Sequence, residues 1–178
     1  MPDFFATHAL YESGSPDPAL DTYVGMPDEL RQTLTQVGTS SYSNGLFRFV
    51  VPTQFRSYLS LFNLDPTECL PFLKSAFGHL LFLHGDQYKL LDPIVNSIDA
   101  LGEPLDLRFA MNMLLSDREI LESTFLMDVY EEVFPLFGAP TFDEIYAFVP
   151  AIGLGGSREA GNVRKLAMAA EMQLLSQL

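Results

Sequence analysis

His79-Leu-Leu-Phe-Leu-His84, then Gly85-Asp86, then Gln87-Tyr-Lys-Leu-Leu91 reads as two apolar strands joined by a two-residue turn. Val95 to Leu101 supplies a third run of strand character, so the centre of the chain is predicted to be an antiparallel sheet. Upstream, the turn residues Ser41 to Gly45 lead into a strand over Leu46–Val51, which Pro52 closes. Phe55, Tyr58, Leu59 and Phe62 then recur at helical spacing, and Asp65-Pro66 is expected to start another short helical piece that reaches about Leu73. A first helix is predicted over about 27–37, with Pro27 at its start, Leu30 and Leu34 on one face and Gly38 as its stop. Before it, Gly14, Ser15, Pro16, Asp17 and Pro18 mark an arm over residues 1–25, which Phe4, Phe5 and Tyr11 would dock.

Downstream the periodicity turns helical over Leu105–Leu115 and Asp117–Phe137. Leu121, Phe125, Val129 and Val133 step by four and would line one face, with Asp128, Glu131 and Glu132 on another. The chain closes with a strand in which Ile145, Ala147 and Val149 alternate with Tyr146 and Phe148, buried on both faces. Pro150 ends its pairing, the glycines 153, 155 and 156 make a turn, and a terminal helix follows. Strand-rich and helix-rich runs are separated, and no repeat is present. The expected class is α+β: a twisted antiparallel sheet flanked by several helices, ending in a strand, a glycine turn and a terminal helix. Residues 26–178 are expected to form one domain, with room for a C-terminal lobe from about residue 117.

Composition narrows the function classes. Fifteen Phe and seven Tyr are enough aromatic mass for a large core, which excludes a disordered chain. With 23 acidic and 10 basic side chains the net charge is −13, the wrong sign for a nucleic-acid binder and the right one for a basic partner. Eight acids fall between Asp117 and Glu144 against one base, Arg118, and the sign then reverses at Arg158, Arg164 and Lys165. The only cysteine, Cys69, excludes an internal disulfide, and no basic leader precedes Arg31. No apolar run reaches the roughly 18 residues of a membrane span. Together these features predict a cytoplasmic protein that binds neither membrane nor nucleic acid.

Catalytic and metal motifs are sparse. His79 and His84, five apart in a strand, would point to opposite faces and could not chelate together, so no metal site is expected. Cys69 lacks a recognisable partner, and no Gly-x-Ser-x-Gly elbow occurs. Gly153-Leu-Gly-Gly156 lacks the Gly-Lys-Ser/Thr that would make it a phosphate loop and reads as a clasp between strand and helix. No cofactor and no catalytic residue are expected. The strongest chemical signal is the acidic stretch Asp117, Glu119, Glu122, Asp128, Glu131 and Glu132, an ordered row of carboxylates suited to a cationic cleft.

Four segments in order, SSYSNGLFRFVVPTQF (40–55), SAFGHLLFLHGDQYKLLDP (75–93), LFGAPTFDEIYAFVPAIGLGG (136–156) and VRKLAMAAEMQLLSQL (163–178), resemble the GAD-like immunity proteins of bacterial type VI secretion systems. Each segment alone is weakly specific; the ordered set is more so. The family pattern Pro-Ala-Leu-Ala-Leu-Gly-Gly stands here as Pro150-Ala-Ile-Gly-Leu-Gly-Gly156, and the first 25 residues match less clearly. The resemblance implies a compact α+β module without enzymatic activity that binds and silences a co-encoded effector toxin, often a DNase. The leading expectation built on it is an immunity protein that binds its cognate toxin, a nuclease, in the cytosol and blocks the toxin's active site or substrate channel. It assigns no contact residues; the six acids named above are chosen by charge clustering. The alternative is a regulatory or scaffold module with a different protein partner, and a small-molecule enzyme built on the glycine turn ranks last.

Overall fold

The computed structural model describes residues 3–102 and 106–178, so the expected helix start at Leu105 lies outside the described residues. Seven strands follow one another across a single antiparallel sheet: β1 (Leu10–Glu12), β2 (Ser41–Tyr42), β3 (Phe47–Phe49), β4 (Cys69–Ser75), β5 (Leu80–His84), β6 (Gln87–Asp92) and β7 (Ser97–Ala100). The hairpin forms in the register its turn dictates, with His84 opposite Gln87 and Leu80 opposite Leu91, and Gly85 takes a positive φ of 63°. Along β5 the alternation is complete. Leu80 and Phe82 enter one core cluster, Leu81 and Leu83 the other. The central strands therefore have no solvent face, and each such side chain contributes about 1.5–3 kcal/mol of apolar transfer.

Helices cover both faces. The larger core is closed by α2 (Asp28–Val37), α4 (Leu107–Leu115), α5 (Arg118–Ser123) and α6 (Met127–Phe137). The smaller is closed by α3 (Pro52–Ser60) and α7 (Met168–Leu175) through Phe55, Leu59, Met168 and Met172. The arm docks through the one-turn helix α1 (Phe4–Thr7). Phe4 is buried against Tyr42, Phe47 and Phe49, and its amide donates to Asn112 Oδ1 at 3.0 Å. His8 is buried beside it. Its Nδ1 accepts from Ser43 Oγ at 2.7 Å while Nε2 donates to the Leu115 carbonyl, and burial lowers its pKa.

Three sequence expectations need correction. The segment after Asp65-Pro66 is not helical: Asp65 Oδ1 accepts from the Thr67 amide at 2.8 Å, spending the helix-start signal on a turn, and the chain continues as the fully buried strand β4. Pro71 sits inside that strand, which a bulge between Pro71 and Leu73 accommodates. The helix expected over Asp117–Phe137 breaks between α5 and α6, where Leu126 takes a left-handed conformation (φ 58°, ψ 37°). The break lets Phe125 turn inward, edge-on to Phe47 and His79 at 5.2 Å each. Finally, the closing tail is not one helix: β9 (Val163–Ala167) pairs antiparallel with β8 (Glu144–Phe148) before α7 begins.

This second, two-stranded sheet is tied to the first by polar contacts as well as by packing. The Tyr146 amide donates to the Ala76 carbonyl at 2.7 Å, at the β4–β5 turn. Lys74, only 2% exposed, aims its ammonium at the carbonyls of Thr141, Phe142 and Glu144 at 3.0, 2.6 and 2.9 Å. Lys165 does the same from β9, donating to the carbonyls of Phe137 and Ala139 at 2.6 and 3.1 Å. The stretch from the end of α6 to the start of β8 thus has five of its carbonyls satisfied by two lysines.

Candidate functional site

The six acids singled out by charge clustering lie on α5, α6 and their approach, and the structure sorts them by what they already do. Asp117 is the N-cap of α5, accepting from the amides of Glu119 at 2.8 Å and Ile120 at 3.3 Å. Glu122 pairs with Arg118 one turn earlier at 2.6 Å. Asp128 accepts from Arg158 at 2.9 Å, and the same guanidinium donates to the carbonyls of Ser123 and Glu122, so Arg158 bridges the break between the two helices. Glu119, Glu131 and Glu132 are exposed and make no ion pair among the described residues, though the Glu131 charge is felt by Arg118. The acidic row is therefore split over two helices. Three of its carboxylates are committed to holding those helices, and three face solvent.

Beside the acidic face of α6 runs an open groove of about 470 Å³ that the sequence reading missed. One wall is α6, with Met127, Tyr130, Glu131, Phe134 and Pro135; the other is the docked arm with Leu10, and Leu46 forms the floor. Leu10 is 56% exposed although it belongs to a strand. Tyr130 Oη donates to the Asn44 carbonyl at 2.6 Å, which pins α6 to the 43–45 turn and fixes the width of the groove. Tyr11 meets Phe134 edge-on at 6.1 Å on the adjoining surface. A groove that mixes apolar side chains with Thr7, Ser43, Asn44 and a carboxylate has the mixed lining of a protein-binding patch. Its sequence signals were the exposed apolar pair Leu10-Tyr11 in the arm and a proline within the helical pattern of α6.

Folding also assembles a Ser–His–Asp cluster. Ser75 Oγ lies 2.7 Å from His79 Nδ1, and His79 Nε2 lies 3.4 Å from Asp92 Oδ1. Ser75 Oγ accepts from the amides of Phe77 and His79 at 3.2 Å each, so its proton goes to His79 Nδ1 and the imidazole carries its hydrogen on Nε2, toward Asp92. Despite its burial, the His79 contact and the amides of Ile94 and Val95 hold the Asp92 carboxyl below its usual pKa. A nucleophilic serine needs its proton taken by the histidine and its oxygen open to substrate. Here the serine and histidine are buried and the oxygen is fully used. The cluster caps the β4–β5 turn.

Gly153–Gly156 is likewise occupied by its own backbone. The amides of Leu154, Gly155 and Gly156 donate to the carbonyls of Ala151, Ile152 and Ala151 at 2.9, 3.0 and 3.0 Å, which leaves none of these three for an anion. A Cβ on Gly156 would fall 1.9 Å from the Pro150 carbonyl oxygen, so only glycine closes this turn. At Gly153 a methyl group would press instead on the mobile end of Leu178 at 3.3 Å, a mild constraint. Cys69 is buried, and burial pushes its thiol up to about 11, a packing cysteine. His84 meets Glu68 at 3.3 Å near the surface. Among the described residues no group of three His, Cys, Asp or Glu is placed to hold a metal ion, and no helix is long and apolar enough to cross a membrane.

The chain is similar in fold to a solved structure, "Crystal structure of Atu4351 from Agrobacterium tumefaciens", with a TM-score of 0.78 over 96% of this chain and 85% of that one. At 17% identity the likeness is one of fold alone. No curated protein matches at a significant level. Residues 109–178 match the family model "T6SS immunity protein Tdi1, C-terminal", a segment that contains α5, α6, all six acids and the second sheet. The narrower GAD-like likeness rests on the sequence motifs. Over residues 109–178 the chain is thus similar to the C-terminal part of the type VI secretion system immunity proteins of the Tdi1 family.

Proposed function

We propose that this protein is a cytoplasmic immunity protein that binds the toxin encoded beside it and blocks that toxin's active site or substrate channel, the toxin being a nuclease with a basic cleft. The observation that carries this reading is the family match over residues 109–178, because the matched segment contains the acidic helices. A cationic cleft that grips phosphates is complementary to solvent-facing carboxylates such as Glu119, Glu131 and Glu132. Protection comes from binding. The Ser75–His79–Asp92 cluster is closed, and the glycine turn has spent its amides on its own carbonyls.

The test is co-expression with the adjacent toxin, scored by survival and by co-purification. Absence of both rescue and complex would remove the immunity reading for that pair. Charge is tested by the triple change Glu119→Lys, Glu131→Lys and Glu132→Lys, which spares the carboxylates that hold the helices together. Affinity for the toxin is expected to fall at least ~10-fold at low salt and much less at high salt. An unchanged affinity at low salt would take the acidic face out of the interface.

A further inference from the structure

Building on the immunity reading, we propose that the groove between β1 and α6 receives a toxin segment carrying an aliphatic or aromatic side chain next to a lysine or arginine. The groove supplies the apolar half of that match: Leu10, Met127 and Phe134 border a volume of about 470 Å³ above the buried Leu46 and Tyr130, with Thr7, Ser43 and Asn44 at its polar edge, room for one large side chain and part of its neighbours. Glu131 supplies the polar half. Its carboxylate stands at the lip of the groove and makes no ion pair among the described residues. Pro135, four residues on, has no N–H to give, so the usual i→i−4 hydrogen bond to the Glu131 carbonyl is missing as well. One residue thus presents two acceptor groups, a carboxylate and a carbonyl, beside apolar side chains, an arrangement that selects a cationic donor adjacent to an apolar anchor.

Charge decides between the possible occupants. A second copy of this chain would bring together two molecules of net charge −13 and set their acidic α6 faces near each other. A basic segment meets the opposite balance. The groove is also pre-formed: the Tyr130–Asn44 hydrogen bond and the His8 contacts to Ser43 and Leu115 fix both walls, so binding costs little ordering of this chain.

The experiment measures affinity of the full chain for the catalytically inactivated toxin encoded beside its gene, by titration calorimetry at two salt concentrations. Leu10→Glu and Glu131→Lys are compared with Asp86→Lys, an exposed acid of the β5–β6 turn outside the groove, and melting curves verify that each variant is folded. Leu10→Glu and Glu131→Lys should each weaken binding about 10- to 30-fold, and Asp86→Lys less than about 3-fold. Glu131→Lys should also flatten the salt dependence. Wild-type binding together with unchanged affinity of both groove variants would overturn the groove and leave the immunity reading standing. Absence of wild-type binding would overturn both. A concentration-dependent dimer of the free chain that Leu10→Glu abolishes would make a second copy the occupant and also overturn the proposal.

Discussion

Replacing Lys74 by methionine keeps the stem that crosses the core and removes the ammonium that joins the two sheets. Three donor bonds at 3.0, 2.6 and 2.9 Å are lost, and the carbonyls of Thr141, Phe142 and Glu144 lose this partner. A hydrogen bond to a charged group is worth about 1.5–3 kcal/mol, but the substitution also relieves the cost of burying the charge, so the net loss is about 3–5 kcal/mol. For a chain of this length that lowers the melting temperature by roughly 6–20 °C. The same residue gives a pH signature. Burial, aided by the Arg48 charge and opposed by Asp143 and Glu144, lowers the Lys74 pKa to about 7, against about 10.4 in the unfolded chain. Between those values the unfolded chain binds the additional proton, so stability rises as pH rises, by up to roughly 1.4 kcal/mol per unit, and is flat below about 7. Urea unfolding of wild type and Lys74→Met from pH 6 to 10 reads both effects, since the difference between the curves cancels the other titrating groups. A stability loss under about 1 kcal/mol would refute the role of the lysine as a clasp. Parallel curves above pH 7 would show that the three carbonyls hold the ammonium charged throughout, against the desolvation argument.

Two further outcomes test the turns. Gly156→Ala sets a methyl group 1.9 Å from the Pro150 carbonyl oxygen, a backbone atom, and should cost about 1–3 kcal/mol in denaturant unfolding. Gly155→Ala meets open space and should lose only about 1 kcal/mol from its positive φ of 87°, so equal effects would refute the steric account. Ser75→Ala orphans the amides of Phe77 and His79 and should destabilise by about 1–3 kcal/mol while leaving toxin binding unchanged; a hydrolytic activity lost with that serine would overturn the capping role.

What could be read from the sequence was local. The β5–β6 hairpin, α2 with its Gly38 stop and α3 behind Pro52 each carry their own turn, cap and periodicity within a few residues. The clasp reading of Gly153–Gly156 likewise rests on a steric demand made within one turn. The acidic stretch was visible as composition, and its division into helix-holding and solvent-facing carboxylates was not, because Arg158 reaches back across the chain to Asp128.

Where a segment's partner is distant, the local signal misled. The strand β4 follows an apparent helix start because β3 and β5 offer it a ladder, and β9 forms because β8 needs a partner. The break before α6 turns Phe125 onto Phe47 and His79, partners far away in sequence that no local pattern announces. The groove is the extreme case, since its walls come from the arm and from α6 and meet only after the sheet has formed. The sequence by itself determined the α+β class, the charge and the short-range elements, because side-chain periodicity and turn chemistry act over a few residues. Tertiary structure alone decided which acids are exposed, which cations are buried and where an apolar anchor would fit, because burial and hydrogen-bond satisfaction are properties of the assembled chain.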